Sequence, residues 1–173
     1  MTNEKLKFTK ADKNNNSIEF VVAKILCNNG LTVSTAESCT GGLVASKLIS
    51  YPGISEVFKE GAVTYSNEAK IKRLGVSELT LENFGAVSYE TAMEMVQGIA
   101  READTDVSIA TTGIAGPGGG SVEKPVGLVY IGIKVKDKTI VKKFEFNGSR
   151  EEVRNKATFS ALEMLEKELE MFK

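Results

Sequence analysis

"LTVSTAESCTGGLVASKLIS", residues 31–50, decides the fold. Its first five residues, "LTVST" (31–35), form a short strand pattern, and 41–50 carries apolar residues at helical spacing. The joint between them, "TAESCTGG" (35–42), concentrates a carboxylate, three hydroxyls, a thiol and two glycines. A strand that turns into a helix through such a joint is the building unit of α/β sheets. The joint also presents free backbone N–H groups at the positive end of a helix, which suits an anion or an oxyanion. The same pattern fits a polar strand–helix loop with ordinary capping residues.

Outward from this joint the chain keeps alternating. Upstream, 17–28 is helical, with Ser17 at the N-cap position and Gly30 just past the end. Downstream, the helix over 41–50 stops at Tyr51-Pro52-Gly53. Residues 57–66 form a strand with Gly61 at a bulge or close approach, and 67–75 a short helix ending at Gly75. A helix or turn covers 77–85, and Ser88 caps a helix over 89–103. "DVSIATTG" (106–113) is a buried strand, followed by a glycine-rich loop, 114–125. Strands over 126–136 and 139–146 flank a hairpin turn at Asp137-Lys138. Ser149 and Glu152, in capping-box spacing, open a last helix that runs to about residue 170. This layout is α/β: a three-layer α/β/α arrangement with a mixed, mostly parallel five-stranded sheet. Residues 17–173 make one domain, and the polar stretch 1–16 is a flexible tail.

The totals narrow the chemistry. A net charge of −1 gives no global attraction to nucleic acid or a membrane surface. No apolar run approaches the roughly 20 residues of a membrane-spanning helix, and the polar N-terminus lacks a signal-peptide core. The expected location is cytoplasmic. The chain contains no histidine and two cysteines. That composition excludes a Ser-His-Asp or Cys-His triad and argues against a zinc site. A nucleophile here would need a lysine, a tyrosine, a carboxylate or water as its base.

In α/β sheets, sites collect in the loops at the carboxyl ends of parallel strands. Three loops qualify: 35–42, 65–70 and 112–125. The first offers Glu37, Ser38, Thr40, Gly41 and Gly42, with Cys39 as a rival nucleophile. The second places Tyr65 at a strand end and Lys70 one turn into a helix; an edge tyrosine and a solvated lysine would look the same. The third, "TTGIAGPGGGS" (111–121), has five glycines in eleven residues, which fits a loop that cradles phosphate or ribose and also fits a surface turn. Thr111, Thr112, Gly113, Gly116 and Gly118 are its candidate contacts. Arg150 and Arg154 lie one turn apart on the last helix and could clamp a phosphate or pair with Glu151 or Glu152. Arg154 and the backbone of the 114–121 loop are the candidate contacts for such a group. Cys27, on an apolar helix face, reads as core.

"TAESCTGG", "GAVTYSNEAK", "GAVS", "TTGIAGPGGGSVEKPVG" and "GSREEVRNKAT" stand in the order and spacing of the CinA C-terminal-domain family, the nicotinamide-nucleotide amidases. The chain resembles that family over about residues 17–170, in its stand-alone form. The resemblance implies hydrolysis of the amide of nicotinamide mononucleotide to nicotinate mononucleotide and ammonia. It also implies a three-layer α/β/α fold and a homo-oligomer, with a dimer as the expected form. It points to Ser38 as nucleophile, Lys70 as its base and Tyr65 as helper. No metal and no organic cofactor are required by such a mechanism. Because the pyridinium ring of this substrate is cationic, bound substrate is expected to help deprotonate Lys70, leaving uncharged nicotinamide a poor substrate. The alternatives are hydrolysis of another small amide or nucleotide, and a nucleotide-binding module without turnover.

Overall fold

The computed structural model describes residues 17–172; the tail expected over 1–16 lies outside the described residues. The element order is α1 (Ile18–Asn29), β1 (Val33–Glu37), α2 (Leu43–Ile49), β2 (Phe58–Val63), α3 (Asn67–Leu74), α4 (Glu78–Phe84), α5 (Tyr89–Glu102), β3 (Val107–Gly113), β4 (Leu128–Val135), β5 (Lys138–Glu145) and α6 (Arg150–Glu168). The five strands form one sheet in the order β2-β1-β3-β4-β5. β2, β1 and β3 pair in parallel, and β4 is antiparallel to both β3 and β5. The sheet is therefore mixed, with β4 alone opposing the other strands.

Two apolar layers cover the sheet. Val22 and Leu26 of α1, Val44 and Leu48 of α2, and Leu162 and Leu165 of α6 pack on one face. Leu74 of α3, Leu81 of α4 and Met95, Val96 and Ile99 of α5 pack on the other, around Ala36 and Ala110. β3, covered on both faces, is buried along six of its seven residues, as expected of a central strand. No helix among the described residues is long and apolar enough to cross a membrane.

Local chemistry explains where the boundaries differ from the sequence reading. β1 starts two residues later than "LTVST" because Leu31 and Thr32 are already committed. The Leu31 N–H closes the end of α1 on Leu26 O, and the Thr32 N–H donates to Asp106 Oδ2 at 3.0 Å. The late hairpin turns at Lys136-Asp137, one residue before the expected pair, since Lys138 is already laddered to Val135. Lys136 adopts φ 49° there. The irregularity in β2 falls at Lys59, between the Phe58 and Glu60 pairings. Gly61 serves the close approach instead: a Cβ there would sit 3.2 Å from Thr35 Oγ1 and 3.3 Å from Ala45 Cβ. Ser17 occupies the N-cap of α1 without a side-chain cap hydrogen bond. The expected capping box of Ser149 and Glu152 is formed in full.

The register aligns the strand ends. Glu37 stands opposite Val63 on one side and Thr111 on the other. The next residues, Ser38, Thr64 and Thr112, therefore emerge side by side at the carboxyl edge. α2, α3 and α6 follow β1, β2 and β5, which run in one direction, so all three helices begin at that same edge.

Candidate active site

The three strand-end loops enclose a crevice of about 190 Å³, lined among others by Ser38, Tyr65, Lys70, Thr112 and Arg150. Ser38 is the first residue beyond β1, and its N–H donates to Thr111 O at 2.9 Å, which fixes the start of the loop. Lys70 sits on the first turn of α3, capped by Ser66, whose Oγ accepts from the Ala69 N–H. That turn points Lys70 inward: it is 1% exposed.

The Lys70 Nζ lies 3.2 Å from Ser38 Oγ, 2.8 Å from Thr64 O and 3.5 Å from Tyr65 O. A neutral amine has two N–H groups and one lone pair. The two carbonyls can take the hydrogens, and the lone pair then faces the Ser38 hydroxyl. Among the described residues Lys70 has no carboxylate within 4 Å to favour its charged form. Burial accordingly holds its pKa below the ordinary lysine value.

Cys39 is not an equal rival. Burial pushes its thiol up to about 11, so the thiolate is scarce at neutral pH. Its N–H, with those of Thr40 and Gly41, has no oxygen acceptor among the described residues.

Glu37 acts on the loop from beneath. It is 1% exposed, with Oε2 accepting from Thr40 Oγ1 at 2.6 Å, from the Gly42 N–H at 2.9 Å and from the Val44 N–H at 3.1 Å. Its Oε1 accepts from the Ala45 N–H at 2.8 Å. The strand thus caps the helix that follows it, and the positive end of α2 is already matched by a carboxylate. Thr40 Oγ1 also meets Thr111 Oγ1 at 2.7 Å, in the interior. Glu37, Thr40 and Thr111 therefore support the loop from below the crevice.

The other candidates divide by position. Thr112 and Gly113 line the crevice, and Thr112 Oγ1 donates to Ala86 O at 2.6 Å, docking the "GAVS" turn beside Lys70. Gly41 and Gly42 form the turn into α2 with φ 62° and 95°, outside the crevice wall. Gly116 and Gly118 stand further out, and Gly116 O accepts from Arg150 Nη1 at 2.8 Å. Arg154 grips the loop carbonyls, Nε to Cys39 O at 3.2 Å and Nη2 to Thr40 O at 2.8 Å. Tyr65 is 63% exposed, and its OH accepts from Arg150 Nη2 at 3.1 Å. The phenol stands at the rim and does not reach Lys70 or Ser38. Arg150, weighed with Arg154 as a phosphate clamp, lines the crevice, as do Ala86, Val87 and Ala115, which the sequence did not single out. "GAVS" and the arginine pair carried the only signal for them.

The fold is a mixed α/β sheet with a buried lysine facing a serine at its carboxyl edge. The sequence profile of the CinA C-terminal domain matches residues 15–169, and the chain belongs to that family. A protein of Clostridium perfringens with the provisional name competence-damage inducible protein is 62% identical over 154 residues, covering 89% of this chain and 37% of that protein. A CinA-like protein of Kosmotoga olearia is 57% identical over 153 residues, covering 88% of this chain and 37% of its own length. The chain thus spans little more than a third of these curated relatives. Among solved structures, the competence/damage inducible protein CihA of Agrobacterium tumefaciens is 45% identical, with a TM-score of 0.82, covering 86% of this chain and 93% of that one. The competence damage-inducible protein A of Klebsiella pneumoniae is 38% identical, with a TM-score of 0.85, covering 88% and 94%.

Proposed function

We propose that this protein hydrolyses the carboxamide of nicotinamide mononucleotide through an acyl-enzyme on Ser38, with Lys70 as the base. The observation that carries the chemistry is the 3.2 Å contact between Lys70 Nζ and Ser38 Oγ, made by a buried amine with no carboxylate beside it. The choice of nucleotide rests on the family resemblance of the five motifs.

Lys70 takes the Ser38 proton as Oγ attacks the carboxamide carbon, and a tetrahedral intermediate forms. The resulting ammonium then gives that proton to the departing nitrogen, and ammonia leaves. Water attacks the acyl carbon, Lys70 again accepting a proton, and nicotinate mononucleotide is released with Ser38 restored. The N–H groups of Cys39 and Thr40, immediately after the nucleophile and without an oxygen acceptor among the described residues, are the oxyanion donors in this reading. One such donor is typically worth about 3 kcal/mol of barrier. In this reading Tyr65, which Arg150 holds at the rim, covers the substrate ring and carries no proton.

The test is Ser38→Ala, assayed for ammonia release and for binding of the mononucleotide. Turnover should fall by about three orders of magnitude or more with affinity retained within about tenfold. Turnover unchanged in the variant would remove Ser38 from the mechanism, and binding with no turnover in the parent protein would favour a non-catalytic nucleotide module.

A further inference from the structure

Glu37, Thr40 and Thr111 form a chain of side chains beneath the loop that follows Ser38. They are 1%, 0% and 0% exposed, which puts all three out of a substrate's reach. Donor chemistry fixes the direction of the chain. The Glu37 carboxylate only accepts, so the single hydrogen of the Thr40 hydroxyl goes to Glu37 Oε2 at 2.6 Å. The 2.7 Å contact between Thr40 Oγ1 and Thr111 Oγ1 must then be donated by Thr111. Thr111 also holds the loop at a second point, because its carbonyl accepts the Ser38 N–H at 2.9 Å. Cys39 is therefore bracketed, with the residue before it and the residue after it both tied to one position on β3. The Cys39 carbonyl accepts from Arg154, and in a trans peptide the C=O and the following N–H point opposite ways. The Thr40 N–H is thus turned away from Arg154, and it has no oxygen acceptor among the described residues.

We propose that Glu37, Thr40 and Thr111 are positioning residues, whose one-way chain aims the Cys39 and Thr40 N–H groups at the oxyanion. The inference rests on the proposed amidase reading and deepens it by naming what holds the oxyanion donors in place. The chain acts on kcat and makes no contact with substrate. Removing one oxyanion donor outright costs about 10²–10³ in kcat, so donors left in place but poorly aimed cost part of that.

The test removes single hydroxyls while keeping side-chain shape. Thr40→Val should lower kcat for nicotinamide mononucleotide by about tenfold to a hundredfold, with KM within about threefold. Thr40→Ser, which restores the hydroxyl, should recover most of the loss. Thr111→Val keeps the bond from Thr40 to Glu37 and should lower kcat about tenfold; it decides the matter if Thr40→Val does not fold. An unchanged kcat, a change confined to KM, or a Thr40→Ser protein as slow as Thr40→Val would overturn the proposal. Diisopropyl fluorophosphate gives a readout that needs no amide turnover. Ser38 Oγ bonds to phosphorus, fluoride leaves, the Ser38 proton passes to Lys70, and the phosphoryl oxygen takes the oxyanion's place. If the parent hydrolyses no nicotinamide amide, the amidase reading fails on its own, and the labelling rate by intact mass decides the positioning. Labelling slowed about tenfold in either valine variant and recovered in Thr40→Ser supports it, whereas an unlabelled parent or equal rates overturn it.

Discussion

At the scale of the residue, Lys70 is stored at a cost to stability. Burial keeps its folded-state pKa below the ordinary value of 10.5, so between those two values the unfolded chain binds more protons than the native one. Stability should therefore rise with pH across that window and be lowest below it. Lys70→Met, which keeps the length and drops the charge, is expected to melt no lower than the parent at neutral pH and to lose part of that slope. It should also lose activity by about 10³. A melting temperature well below the parent's would contradict this account of the buried amine. Glu37 carries the opposite expectation. Glu37→Ala leaves the N–H groups of Gly42, Val44 and Ala45 without their acceptor. Urea denaturation should show a loss of about 2–4 kcal/mol. The sequence marked Glu37 as a substrate contact because a carboxylate in a catalytic joint looks available. Only the path of the loop, which folds the start of α2 back over the end of β1, shows that its oxygens are already used.

At the scale of the element, the active position of Lys70 depends on how closely α3 approaches α5. A Cβ on Gly98 would lie 2.1 Å from Leu74 O, the carbonyl that also accepts from Arg101 Nη2 at 2.9 Å. Gly98→Ala must push the end of α3 off α5. The expected cost is about 1–3 kcal/mol in chemical denaturation, with a fall in kcat as Lys70 moves from Ser38. An alanine variant as stable and as active as the parent would contradict the packing described here. Most elements were legible in the sequence because their ends are written locally. Gly30 and Gly75 in the left-handed region, and the Ser149–Glu152 box, mark helix ends by chemistry that acts within a few residues. Where neighbours decide, the sequence was off by one or two residues. β1 waits for Leu31 and Thr32 to finish their bonds to α1 and Asp106, and the hairpin turn is set by the ladder that pairs Val135 with Lys138. The roles of Arg150 and Arg154 divide for the same reason. Spacing puts both on one face, but contacts with Tyr65, Gly116, Cys39 and Thr40 decide which lines the crevice.

At the scale of the whole molecule, the site exists because β1 and β2 end level beside β3, which runs two residues further. Ser38 and Thr64 leave the sheet next to Thr112, and α3 brings Lys70 back over them. Sequence spacing identified the three loops, since their placement follows from α/β topology. The 32 residues separating Ser38 from Lys70 say nothing of the 3.2 Å between them. The cationic ring of the proposed substrate sets a further expectation. Nicotinamide riboside, cationic but without phosphate, should approach the kcat of the mononucleotide at saturation. Neutral nicotinamide should remain far below both even when saturating, because it brings no positive charge to help keep Lys70 unprotonated. Steady-state ammonia release from the three amides checks this, and equal kcat values would count against it. The most direct measurement of the central claim is the pH dependence of kcat for nicotinamide mononucleotide. The account expects the rate to fall with decreasing pH through one ionisation that lies below the ordinary lysine range, with the unprotonated form active, and expects Lys70→Met to show no such limb and almost no rate. A rate that is flat across that range, or a Lys70→Met protein retaining a tenth or more of the parent activity, would contradict it.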